Sequence, residues 1–204
     1  MTGRQSAEDR KAQIVAEVLR LADEIGPDRL STTDVARAIG LSQPAIFRHF
    51  PTKSALWLAV AEDIAMRLRD AWADAGAQAT TPRARLKALI EAQLTAIAER
   101  PALPSILFSR ELQVDNPALR DVFHGLLGSF QVHLVAAIRD QQRAGGLRAD
   151  ISAQDIAILL TSLVQGVAIR WTLGARAFPL VQEGLRLFDV QLALLCTSGV
   201  VAQD

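Results

Sequence analysis

The sequence predicts an all-α protein of about nine helices, and three observations carry that prediction. Apolar residues recur at spacings of three and four nearly everywhere, as helices with one buried face require. Ala, Leu, Arg and Gln are plentiful, Tyr is absent and aromatic residues make up 5% of the chain. No convincing alternating run is flanked by a hairpin dipeptide such as Asn-Gly.

A length of 204 residues predicts one or two small domains and is long enough to bury a core without disulfides or metals. With 50% of the residues hydrophobic, wholesale disorder is excluded. Basic and acidic residues balance at 22 each, so any site for a polyanion must be local. The single cysteine, Cys196, excludes an internal disulfide and a multi-Cys zinc module, and fits a reducing compartment. The first 25 residues carry no signal-peptide core. Arg, Gln, Gly or Pro interrupts the apolar stretches before about 18 residues, so no membrane span is expected. The predicted location is cytoplasmic.

Breakers place the elements. A first helix runs from about Ala7 to Ile25, with Ile14, Val18, Ala22 and Ile25 on one stripe, and stops at Gly26-Pro27. A second follows the Ser31/Thr32 cap and runs to about Ile39, where Gly40 ends it. Ser42 caps a short third helix, Gln43 to Phe50, with Pro44 in its first turn, where a missing N–H costs little. A long fourth helix runs from Lys53 to about Asp74, and a loop covers residues 76–82. Further helices are predicted at about Pro82–Glu99, Pro104–Gln113, Pro117 to Gly145-Gly146, Ala153–Leu173, and from near Pro179 to Ser198.

The most specific signal lies between Thr32 and Phe50. Ala36, Gly40 and Ile46 occupy the small, left-handed and core positions of a helix-turn-helix. Ile46 and Phe50 anchor the second helix, with Val35, Ile39 and Leu41 opposite. An ordinary helical hairpin would show the same apolar pattern, but charge argues against it. From Arg29 to Lys53 there are four basic residues, Arg29, Arg37, Arg48 and Lys53, against the single acid Asp34. A local excess of +3 on a compact helix pair suits insertion into a DNA major groove.

The run TTDVARAIGLSQPAIFRHFPTKSAL resembles the DNA-binding domain of TetR-type (tetracycline-repressor-like) bacterial regulators, over about residues 8 to 56. The resemblance implies a helix-turn-helix DNA-binding domain at residues 1–55 and a helical bundle for effector binding and dimerisation at 56–204. It implies phosphate contacts at Thr33, at His49 and at Lys53, whose ammonium lies at a helix start that itself favours an anion. Phe47 stands where most relatives have Tyr, so it keeps the ring but loses a hydroxyl contact. It is left an apolar contact with a thymine methyl or a sugar. Gln43 and Pro44 replace the common small-Gly pair. Gln43 suits adenine, and Arg48 suits either guanine or a phosphate. Ser42 completes the expected DNA-binding set.

The family's dimer contacts come mainly from the last two long helices, and a dimer sets two recognition helices about 34–36 Å apart on a palindromic operator. Here those helices are apolar nearly all round and must be covered on several sides. Ile156, Leu159, Leu163, Val167, Leu185, Phe188, Leu192 and Leu195 are the expected interface, with a core of the single chain as the alternative. The family's effector site lies within the fourth to eighth helices. The lining expected from the sequence is Trp72, Phe108, Leu112, Phe123, Leu127, Phe130 and Trp171, with Arg110, His124 and Gln165 as polar handles. That set is mostly apolar, which suits an apolar small effector.

Catalytic, cofactor and metal sites are not expected. His124 and His133 lie nine residues apart, about 180° around one helix, and cannot share a metal within one chain. Asp121 and His124 share a helix face and are a minor candidate for a metal or effector site, with a solvent-facing or intrahelical pair as the plain alternative. Cys196 sits in an apolar run and is expected to be a buried thiol. There is no phosphate-binding glycine loop or nucleophile elbow. The leading reading is a ligand-responsive homodimeric regulator of transcription, most simply a repressor. An architectural or division-linked DNA binder of the same fold, without a small effector, is the alternative.

Overall fold

The computed structural model describes residues 6–196, and these contain ten α-helices and no strand. The helices are α1 (Ala7–Ile25), α2 (Thr32–Ala38), α3 (Gln43–His49), α4 (Lys53–Gln78), α5 (Pro82–Glu99), α6 (Ala102–Phe108), α7 (Arg110–Asp115), α8 (Pro117–Arg143), α9 (Ala153–Leu173) and α10 (Leu180–Leu195).

Local chemistry sets most of the boundaries. Ser6 and Asp9 exchange side-chain-to-backbone bonds at the start of α1, and Ser31 and Asp34 do the same at α2. Each box satisfies two backbone donors that the first helical turn leaves orphaned. Thr52, Thr81 and Ser152 accept from the backbone amides of Ala55, Ala84 and Asp155, fixing the starts of α4, α5 and α9. The stripe of α1 is broader than expected: Val15 and Leu21 join Ile14, Val18 and Ala22 in the interior, while Ile25 at the last turn is exposed.

Two elements differ from the sequence expectation. The segment expected as one helix from Pro104 to Gln113 is two, α6 and α7, broken at Ser109. Ser109 is extended rather than helical, and its hydroxyl accepts from the Leu112 amide at 3.0 Å, capping α7. The same hydroxyl donates to the Asp28 carboxylate. Helix α4 runs four residues further than expected, to Gln78, because its flanking alanines carry it through Gly76.

The described residues form two compact units. One comprises the described part of Met1–Met66 with Arg100–Gly125, and the other comprises Arg67–Glu99 with the described part of Leu126–Asp204. Helix α4 runs past Met66 without a break, and within the first unit α6 packs on α1. In the first unit Ile14, Val18, Val35, Ile46, Trp57, Ile64, Ile106 and Leu119 form the core. In the second, α10 packs on α5 and α9, with Leu86, Ile90, Leu94, Ile138, Ile156, Leu160 and Phe188 buried.

By length and composition alone, α8 and α9 are each long and apolar enough to cross a membrane, even with Gly125, Gly128 and Gln131 on α8 and Gln165 and Gly166 on α9 interrupting their apolar runs. The interrupting residues are mostly uncharged: no Asp, Glu, Lys or Arg lies between Asp121 and Arg139 or between Asp155 and Arg170. On α9, Thr161 returns its hydroxyl to the Ala157 carbonyl at 2.8 Å, hiding its polarity. Nine residues of α9 are nonetheless buried within the protein, as in a core helix.

Candidate nucleic-acid interface

The helix-turn-helix is held by a small set of contacts. Val35 and Ile46 are fully buried, and Ala36 and Phe50 nearly so. Between the helices Gly40 takes φ +67°, a left-handed conformation that residues with a Cβ rarely adopt, and the Leu41 amide then donates to the Ala36 carbonyl at 2.8 Å. One helix face is thereby turned inward, and the residues expected to meet DNA stand on the other.

Thr33, Ser42, Gln43, Pro44, Phe47, Arg48 and Lys53 are all exposed, and His49 is half-buried. Ser42 occupies the cap position of α3 but its hydroxyl makes no capping bond. Lys53 is the first residue of α4. Among the local charges, Arg37 lies 3.5 Å from Asp34. The Ser31 hydroxyl and amide, and then Arg37, hold the Asp34 carboxyl below its usual range. Gln43 does not project independently: its Nε2 donates to Thr32 Oγ1 at 2.8 Å, and Thr32 is buried. Sequence reasoning missed that bond, although Thr32 and Gln43 open the two helices of the motif.

The residues expected to line an effector site are distributed between the two compact units. In the first, Leu112 and Phe123 are buried, while Phe108, Arg110 and His124 are exposed. In the same unit the Asn116 amide nitrogen donates to the Leu112 carbonyl, and its buried side-chain oxygen has no hydrogen-bond partner. In the second, Trp72 and Phe130 are buried with ring centres 4.8 Å apart, Leu127 is exposed and Gln165 is half-buried. Trp72 also donates from Nε1 to Gln93 Oε1 at 3.0 Å and lies 6.1 Å from the His133 ring. Trp171 closes the end of α9 with the Arg176 guanidinium over its ring. Gln93 and His133 were not foreseen as neighbours of Trp72, because nothing in the spacing of residues on different helices signals such a contact.

Of the residues expected at a dimer interface, Ile156, Val167, Phe188, Leu192 and Leu195 are buried in the chain's own core, Leu163 and Leu185 are half-buried, and Leu159 is exposed. The exposed large apolar side chains of these helices are Ile158, Leu159, Ile169 and Leu173 on α9, and Val190 and Leu194 on α10. Cys196, expected to be buried, is a half-buried free thiol at the end of α10, where the helix stops before covering it. Asp121 and His124 are both exposed. Among the described residues no three His, Cys, Asp or Glu side chains group to hold a metal.

Comparison with known proteins joins these features. Residues 14–60 match the family profile of bacterial regulatory proteins of the tetR family, and residues 82–196 match that of the C-terminal region of BetI-type transcriptional repressors. The nucleoid occlusion factor SlmA of Vibrio atlanticus is 24% identical over 166 residues, 81% of this chain and 85% of that protein. The HTH-type transcriptional regulator EthR of Mycolicibacterium smegmatis is 24% identical over 160 residues, 78% of this chain and 73% of that protein. A transcriptional regulator from Saccharomonospora viridis, solved in complex with choline, superposes with a TM-score of 0.82 at 22% identity, over 93% of this chain and 99% of that one. With both parts of the chain matched, it belongs to the TetR family of bacterial regulators, DNA-binding transcription factors rather than enzymes.

Proposed function

We propose that this protein is a cytoplasmic homodimeric repressor that binds a palindromic operator through α3 and is released from it by a mostly apolar small molecule. The observation that carries the reading is the pairing, in one chain, of a recognition helix with Gln43, Phe47 and Arg48 outward and six outward apolar side chains on α9 and α10. Leu173 and Leu194 are 82% and 74% exposed, which a lone chain gains nothing by keeping. A second copy laid on those helices would cover them, and a dimer supplies the two α3 helices that a palindromic operator calls for. Sedimentation of the purified protein tests the dimer, and a monomer at micromolar concentration overturns it.

The effector reading is supported by Trp72, which stacks near Phe130, donates to Gln93 and lies beside the His133 ring, a mostly apolar aromatic cluster. An effector acts only through its different affinity for the DNA-competent and relaxed states. A hundredfold release of operator corresponds to about 2.7 kcal/mol of coupling, and operator must weaken effector binding by the same factor. Tryptophan fluorescence of effector binding with and without operator measures that factor, and equal affinities show that a compound is no inducer. The similarity to proteins named nucleoid occlusion factors favours a second reading, a DNA-bound architectural role without a small effector. Genome-wide footprinting separates the two: operators at promoters support the repressor, and sites dispersed away from promoters support the architectural role.

A further inference from the structure

We infer that Thr32 is a positioning residue for base recognition: its hydroxyl fixes the Gln43 carboxamide so that this side chain selects an amino-bearing base, adenine first. The inference rests on the reading of α3 as the recognition helix. Gln43 is the first residue of α3 and is exposed, whereas Thr32 is the first residue of α2 and is 8% exposed. Gln43 Nε2 donates to Thr32 Oγ1 at 2.8 Å. A glutamine amide otherwise turns freely about its last torsion, and in one orientation presents an acceptor to a base edge, in the other a donor.

Because nitrogen and oxygen occupy opposite branches of one planar group, tying the nitrogen to α2 turns the oxygen away from it. The base edge then meets an acceptor. Adenine N6 and cytosine N4 donate to it, while guanine O6 and thymine O4 oppose it with acceptors of their own. Adenine gains further, because the second N–H of the amide remains to donate to N7. The bond lies at the edge of the interior, with its acceptor on a buried residue of α2, so the turn that fixes the spacing of α2 and α3 also sets the orientation of the reader.

Selection of bound duplexes from a randomised DNA library, followed by sequencing, tests this. The wild type is expected to enrich adenine strongly at one position of each half-site. Gln43→Ala flattens that position, Thr32→Val flattens the same position by about two- to tenfold, the worth of one hydrogen bond, and Thr32→Ser restores it. A merely structural role for Thr32 would instead weaken all positions together, with a lowered thermal midpoint. Thr32→Val with the wild-type profile overturns the inference, as does flattening at a position different from that of Gln43→Ala. A Gln43→Ala profile with every position intact overturns it whether or not Thr32→Val folds. A library from which the wild type enriches nothing removes the operator reading and this inference with it, whereas enrichment with an unmoved position removes the inference alone.

Discussion

Helices α3 and α9 both present side chains to solvent, and they do so by opposite rules. Of the seven residues of α3 only Ile46 is buried, and Gln43, Arg48 and the half-buried His49 stand outward beside Pro44 and Phe47. In α9 nine residues are buried, and the outward ones still include Ile158, Leu159, Ile169 and Leu173. On α3 the amide and guanidinium side chains, Gln43 and Arg48, both lie outward, as the proposed contact with phosphates and base edges requires. On α9 residue type does not separate the faces, as the proposed interface would require, since a face covered by another protein helix would be made of the same residues as a face covered by the chain's own core. A polar surface thus declares itself, and an apolar one has to be located in three dimensions.

The sharpest way to break that comparison lies on α10, where Leu192 is buried and Leu194 exposed. Leu192→Glu places a charge in the core and is expected to cost more than about 4 kcal/mol, seen as loss of the cooperative melt in circular dichroism. Leu194→Glu is expected to leave a folded, soluble chain that sediments as a monomer. A Leu194→Glu dimer would show that the outward face of α10 is not an interface.

The aromatic pair at the end of α3 makes the same contrast on the DNA side. Phe50→Ala empties a core position and is expected to cost about 3–5 kcal/mol in urea denaturation. Phe47→Ala, at an exposed ring, is expected to change stability by less than about 1 kcal/mol while weakening operator binding in a gel-shift titration. Lys53→Ala is expected to weaken binding to all sequences and to lower the slope of log affinity against log salt by about one unit. An unchanged slope would remove Lys53 from the phosphate contacts.

The smallest effect concerns Asp34, whose folded-state value is lowered chiefly by the Ser31 hydroxyl. A depressed carboxyl stabilises the fold at neutral pH, and that contribution is lost as the pH falls through its folded-state value. Asp34→Asn is therefore expected to lower the melting temperature slightly at pH 7 and not at the acid end. An equal loss at both ends would mean that Asp34 acts through geometry rather than charge.

Helix positions were legible in the sequence at the clearest breakers and caps, as at Gly26-Pro27 and Ser31, though Gly76 did not end α4. The break at Ser109 was not, since a serine inside an apolar run reads equally as a helix interior or a cap until its partner Asp28, 81 residues earlier in the chain, is in place. The exposure of the residues expected to meet DNA, Thr33, Ser42, Gln43, Pro44, Phe47, Arg48 and Lys53, followed from residue type and from the motif. The Thr32–Gln43 bond did not, because the two side chains meet only once Gly40 has turned the chain. Around Trp72 the limit was the same: its Gln93 partner comes from another helix, and no period along the chain connects them.

Gly184 ties the inside of the second unit to its outside. A Cβ at this position would lie 2.5 Å from Leu94 Cδ1, and Leu94 is fully buried with little room to yield. At its other end α10 is held by the Leu195 carbonyl, which accepts from the Arg148 amide at 2.9 Å. The helix is thus held closely at two points, with Phe188 and Leu192 inward and Val190 and Leu194 outward. An alanine at Gly184 would act as a shim, and its trace would appear on the far side of the helix as altered self-association. Trimming Leu94 to alanine in the same chain would take the shim's pressure away. An interior vacancy the size of one carbon is in this sense part of the protein's exterior specification.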